Sequence, residues 1–284
     1  MVHDHSAPRG VVVRRRHPTL PTILAAGPPL TTVGGHCHFL GGAVSDPRAA
    51  VRAHAERGVD VVKIMASGGA LTPGTRSEVA QFSPAELRAA ADEAHRLGLP
   101  VIAHAHGTQA IRNAIEAGVD GLEHVTFMTA DDVDPAPGDV LRALAAKRIT
   151  VGLTFGTVPG TTPLPEIGRR MPGLLANGRR RWNCGAPVAL GTDAGIGPVK
   201  PHDVLPYAAA QLERLGATPA DALRTVTSGA AAACGLGDRK GRIAPGYDAD
   251  LLAVDGDPLT DPAALQRVRA VVVRGHLLPT AGGR

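Results

Sequence analysis

The stretch QFSPAELRAAADEAHRLGLPVIAHAHG, residues 81–107, carries one complete structural unit. Ser83, followed by Pro84 and then Glu86, has the form of a capping box. There the hydroxyl and the carboxylate each satisfy an amide at the helix start. The Ala-rich window that follows reads as helix, and Gly98 closes it. PVIAHAH, 100–106, is then an apolar run of strand length. His104 and His106 lie two apart on this strand, so both point to one face. They stand at its C-terminal end, just before Gly107.

The same unit recurs on either side. Upstream, residues 22–26 read as a first strand, and a Gly-rich loop, GGHCHFLGG, runs through 34–42. A helix opens at Asp46-Pro47 and stops at Gly58, and VDVVKIM, 59–65, is the next strand. Downstream, a helix ends at Gly118 and leads into VDGLEHV, 119–125. ITVGLT, 149–154, and PVALGTD, 187–193, follow, each reached through a helical segment. Six apolar strands alternating with helices imply a parallel sheet covered by helices. A (β/α)8 barrel of about 250 residues suits a chain of this size. After about residue 215 the pattern changes. Thr218-Pro-Ala-Asp opens one more helix, and the segments 241–259 and 268–278 are strand-like with no helix repeat. The chain therefore divides into an unassigned segment (1–20), a barrel domain (21–235) and a small β appendage (236–284).

Composition removes several classes. With 44% hydrophobic and 20% charged residues, the chain is globular, not collagenous or disordered. Aromatics are only 2%, so the core is built from Val, Leu, Ile and Ala. The same scarcity argues against stacking on single-stranded nucleic acid. The net charge of +4 comes from scattered Arg, with one run at Arg14, Arg15 and Arg16 that reads as a solvated face. Cys37, Cys184 and Cys234 are odd in number and form no CxxC pair, which suggests a reduced, cytoplasmic protein. No apolar run approaches the ~20 residues of a membrane span, and MVHDHSAPRG lacks the apolar stretch of a signal peptide.

Several residues can carry chemistry. Lys63 sits within VVKIM, where a lone ammonium is costly unless paired, neutralised or modified. It can be a strand-end Lys whose head reaches water, a Schiff-base Lys or a carbamylated Lys that bridges metals. His104, His106 and His124 stand at strand ends, and Asp193 ends the last strand, where it can also cap a helix. Imidazoles and a carboxylate converging at C-terminal strand ends suit Zn²⁺ or a similar divalent ion. His36 and His38 lie in the Gly-rich loop, and His202 follows Pro201 as a rim residue. His54 and His95, within helices, read as structural.

VGGHCHFLGG, VKIMASGG, residues 81–107, AGVDGLEH, ALGTDAG and GRIAPGYDADLLAVDGDP together resemble the amidohydrolase superfamily. The closest subgroup is the imidazolonepropionase-like, Zn-dependent dipeptidase-type hydrolases with a bridging carboxylated Lys. The resemblance implies a distorted TIM-type (β/α)8 barrel with a small β-sandwich. It implies that Lys63, modified by CO2 to a carbamate, bridges two metals. His104 and His124 would bind the more exposed metal. Asp193 would bind the buried one and accept a proton from the attacking hydroxide. His36, His106 and His202 would touch a small-molecule or dipeptide-like substrate, cleaved at an amide-type C–N bond. Self-association into a homo-oligomer stays open.

The family's first barrel strand carries an HxH pair. Here six barrel strands are visible, and the first two βα units, roughly 60 residues at ~30 each, are not among them. His3-Asp4-His5 spells HxH, but no apolar strand precedes it. The expectation is therefore one ion or none, held mainly by Lys63, His104 and His124. Two other readings stand beside it. One is a truncated or degenerate barrel that serves as a scaffold or partner subunit without catalysis. The other is a Schiff-base lyase on Lys63, which leaves His104, His124 and Asp193 without a role.

Overall fold

The computed structural model describes residues 20–196 and 198–279. His3-Asp4-His5, Arg14–Arg16 and His17 lie outside the described residues. The unit at 81–107 forms as its sequence dictates. Ser83 Oγ accepts from the amide of Glu86, and the Glu86 carboxylate accepts from the amide of Ser83 at 2.8 Å. Helix α2 (Pro84–Arg96) follows α1 (Pro47–Glu56), whose N-terminus is capped by the Asp46 carboxylate on the amides of Arg48 and Ala49. The two helices pack together, and Arg52 of α1 and Arg96 of α2 both bond the buried carboxylate of Glu93 (2.6 and 2.7 Å).

Strands β1 (Val62–Met65), β2 (Val101–Ala105), β3 (Gly121–His124), β4 (Thr150–Leu153) and β5 (Val188–Leu190) pair in parallel, in chain order. Helices α3 (Thr108–Ala117), α4 (Gly138–Ala146) and α5 (Pro165–Trp182) connect β2 through β5. Every residue of β1 and β2 is buried, as a sheet covered on both faces requires. Val62, Ile64, Ala103, Leu122 and Val151 meet Leu87, Ile111 and Leu144 of the helices. Small residues allow this closeness: α2 and α3 present Ala90, Ala91, Ala94, Ala110 and Ala114 to the core. The result is a partial (β/α) barrel.

The first strand is not where the sequence suggests. Residues 22–26 form no strand. The parallel contact with β1 comes later, at Leu30. Its amide donates to the carbonyl of Lys63 and its carbonyl accepts from Met65, both at 2.8 Å. Ala25 also touches this edge, accepting from the amide of Asp60 at 2.9 Å. Between these contacts stand Pro28 and Pro29. Neither has an N–H to donate, so no continuous ladder can form there. Six expected strands thus become five strands and an edge bridge.

Beyond β5, α6 (Leu205–Gln211), α7 (Pro219–Val226) and α8 (Ser228–Ala233) lead to an antiparallel sheet. Its strands are β6 (Leu251–Val254), β7 (Val268–Val273) and β8 (His276–Leu278), in that order. The expected helix at Thr218 starts with its capping box to Asp221. It breaks at Thr227, whose φ of −121° and ψ of −98° lie outside the helical region. Among the described residues no helix is long and apolar enough to cross a membrane.

Candidate metal centre

Register decides which side chains face the interior. Lys63 pairs with Ile102, and Met65 with His104. His104 pairs with Glu123, and Glu123 with Gly152. Residues paired in a parallel sheet point the same way, and alternate residues share a face. Lys63, His104 and Glu123 therefore line one face, and His106 continues it beyond the end of β2.

His124 breaks this parity. It pairs with Ala105, on the opposite face. Its ring nevertheless lies 4.6 Å from that of His104 and 4.5 Å from that of His106. The backbone makes this possible: φ is 71° at His124 and 50° at Val125. A β-branched residue in the left-handed region is strained. Arg181 of α5 helps hold the turn, donating through Nη1 to the carbonyl of His124. His36 completes the cluster from the Gly-rich loop, its ring 4.7 Å from that of His104.

One nitrogen of each of His104, His106 and His124 is already engaged. Nε2 of His104 donates to the carbonyl of Gly68 at 3.0 Å. A carbonyl only accepts, so Nε2 carries the proton and Nδ1 keeps its lone pair. Nδ1 of His106 pairs with Thr126 Oγ1 (2.8 Å), and Nδ1 of His124 with Thr154 Oγ1 (2.7 Å). Such outer partners orient metal-binding imidazoles. The candidate ligand atoms of His104, His106 and His124 all lie within 4.8 Å of one another.

The electrostatics favour neutral rings. Burial, opposed by the charge of Asp193, brings the pKa of His36 down to about 4. Burial also brings His106 to about 3, with the nearby His36 and Arg181 adding to it. His104 and His124 fall well below the ordinary value, again chiefly through burial. Neutral imidazoles offer lone pairs at pH 7. Lys63 is buried, and desolvation lowers its pKa against the opposing pull of Glu123 and Asp193.

The cluster thus gathers Lys63, His36, His104, His106 and His124. Asp193 lies on the loop after β5, exposed, at φ 53°. No helix starts there, so it caps none. Its charge acts on Lys63, His36 and Lys200. His202 is exposed in the turn before α6 and makes none of the ring contacts that join the other histidines. His36 is buried, and its Nδ1 has no hydrogen-bond partner. Gly69 faces its ring so closely that a Cβ there would collide with it.

Several residues of the site escaped the sequence reading. Glu123 lies over Gly152, whose missing Cβ makes room for the carboxylate. Its one sequence signal is strand parity with the residues facing it across the sheet. Thr126, Thr154, Arg181 and Lys200 touch the centre through hydrogen bonds that no local motif announces.

The chain matches the amidohydrolase family over residues 17–278. It is 32% identical to the ochratoxinase of Aspergillus niger over 239 residues, 80% of this chain and 47% of that protein. It is 34% identical to the imidazolonepropionase of Ruegeria sp. over 211 residues, 72% of this chain and 44% of that protein. The chain spans about half the length of these curated relatives. A crystal structure of a Xaa-Pro dipeptidase with bound methionine in its active site superposes with a TM-score of 0.81. It is 27% identical, and the match covers 96% of this chain and 71% of that one.

Proposed function

Because the chain belongs to the amidohydrolase family, we propose that it is a metal-dependent hydrolase of carbon–nitrogen bonds in a small, dipeptide-like substrate. The observation that carries this reading is the triad of His104, His106 and His124, with ligand atoms within 4.8 Å of one another beside the buried Lys63. The donor set fits a divalent ion of the Zn²⁺ kind: three neutral imidazoles, each with its second nitrogen already oriented. These three residues would hold the ion, and Lys63 as a carbamate and Asp193 would add oxygen donors. When bound, such an ion polarises a carbonyl and lowers the pKa of water to about 7.

The protein's own groups do the rest. Burial favours the uncharged amine of Lys63. Its nitrogen lone pair adds to the carbon of CO2: a C–N bond forms, one C=O π pair moves onto oxygen to give the carboxylate, and one proton leaves the nitrogen to solvent. Asp193 takes a proton from the attacking water at a carboxylate oxygen and passes it to the leaving nitrogen. His36, with Nδ1 unpartnered, binds a polar group of the substrate, and His202 stands at the rim. The names of the relatives support this reading, and the methionine in the dipeptidase structure points to an amino-acid product. The free thiols of Cys37, Cys184 and Cys234 support a cytoplasmic setting.

The test is metal content and hydrolysis together. The purified chain is stripped with a chelator, reloaded with Zn²⁺ and assayed on N-acyl amino acids and dipeptides. Hydrolysis that disappears on chelation and returns with Zn²⁺, and that is absent in His104→Ala, is expected. A chain that binds no metal and turns over nothing in this panel overturns the proposal and leaves the scaffold reading.

A further inference from the structure

We propose that the ammonium of Lys200 is the group that recognises a carboxylate of the substrate, beside the bond to be cleaved. This rests on the hydrolase reading for the word substrate, but the recognition itself needs no turnover.

Lys200 is placed by its backbone. Its amide donates to the carbonyl of Ile196 at 2.8 Å, and its carbonyl accepts from the amide of Gly195 at 2.9 Å. Pro201 follows, which restricts Lys200 to extended backbone. From this pinned position the side chain reaches back over the sheet. Nζ donates to the carbonyl of Thr154 at 2.7 Å and to that of Thr192 at 3.2 Å. Both acceptors border the candidate centre. Thr154 orients His124 through its hydroxyl, and Thr192 immediately precedes Asp193.

The charge of Lys200 is poorly matched by its surroundings. Among the described residues its two hydrogen bonds both go to carbonyls and neither to a carboxylate. Arg181, a buried cation on this side, also bonds carbonyls, those of His124 and Asn177. Asp193 is the one carboxylate whose charge acts on Lys200, and it is shared with Lys63 and His36. An ammonium has three donors, so one N–H of Lys200 remains for a ligand. A carboxylate gives that donor a charged acceptor, and such bonds are about twice as strong as neutral ones. In an N-acyl amino acid or a dipeptide, only the α-carbon separates the carboxylate from the scissile nitrogen. The group that reads it must therefore stand next to the reacting centre, as Lys200 does.

The experiment is calorimetric titration of the whole protein with N-acetyl-L-methionine and, separately, with its carboxamide. Wild type should bind the acid about tenfold more tightly than the amide, the value of one charge-assisted hydrogen bond. Lys200→Gln can still donate to the two carbonyls but has no charge, and Lys200→Met loses both. Each should bind the two ligands within about twofold of one another, and Lys200→Arg should restore much of the preference. A wild-type protein that does not distinguish acid from amide, or a Lys200→Gln variant that keeps the full preference, overturns the proposal. The second result would leave Lys200 as a staple between strand ends. Because hydrolysis is not the readout, failure of the hydrolase reading leaves this result standing, and the reverse also holds.

Discussion

Glu123 and His124 are neighbours in the chain, yet both side chains enter the same interior space. In a regular strand they would point apart. The left-handed backbone at His124, φ 71°, reverses the second of them. A carboxylate facing Lys63 and an imidazole facing His104 thus come from a single dipeptide. The strain is held by the bond from Arg181 to the His124 carbonyl and by Thr154 Oγ1 on Nδ1.

Thr154 is consequently a lever on the proposed metal site. Thr154→Val keeps the shape of the side chain and removes the partner of Nδ1. Loss of an outer-shell partner typically lowers metal affinity by about 10- to 100-fold. Competition against a chromophoric chelator measures it. Unchanged affinity would mean that the ring is oriented by packing alone.

Lys63→Met separates stability from chemistry. Replacing a buried, desolvated ammonium by an apolar chain of similar length should leave the fold as stable as wild type or firmer by up to about 3 kcal/mol. Native mass spectrometry in bicarbonate buffer should show the mass of one added CO2 on the wild type and not on the variant, and the variant should lose hydrolysis with it. A variant that retains both excludes the carbamate.

Acid should weaken the metal-free protein in a defined window. His36 titrates at about 4 in the fold, against 6.5 unperturbed, and His106 at about 3. The unfolded chain takes up protons first as pH falls, so stability is complete above about pH 6.5 and declines from there towards pH 4. Urea midpoints of chelated protein should drop between pH 7 and about pH 5, above the range where carboxylates titrate. In His36→Gln the slope should be shallower. A flat profile over this interval would show that the histidines are solvated.

Gly152→Ala tests the seat of Glu123. A methyl group there occupies the space of the carboxylate, and such overpacking costs about 1–3 kcal/mol. Thermal melts should show the loss. Lys63→Met in the same background should recover part of it, because Glu123 then has no ammonium to face. Additive effects of the two changes would sever the link between these residues.

The sequence made the βα alternation legible because caps, glycines and apolar runs are local signals. Ser83 with Glu86 and Thr218 with Asp221 behave as their spacing dictates. His104 and His106 were legible as a pair because strand parity is also local. The edge at Leu30 was not, since it depends on where the two prolines interrupt pairing with β1. Nor was the inward turn of His124, which contradicts the alternation that identifies its neighbours. Lys200 and Arg181 reach the centre from a loop and a helix far along the chain, and only tertiary structure brings them there.

The sheet is assembled in chain order, each strand pairing with the one before it. Each such parallel pair closes over an intervening helix, and pairing of this kind is intrinsically slow. During synthesis, β2 and β3 with their histidines emerge well before the antiparallel appendage is made. The three imidazoles are gathered only once Thr154 and Arg181 have also been made, because these two hold the inward turn of His124.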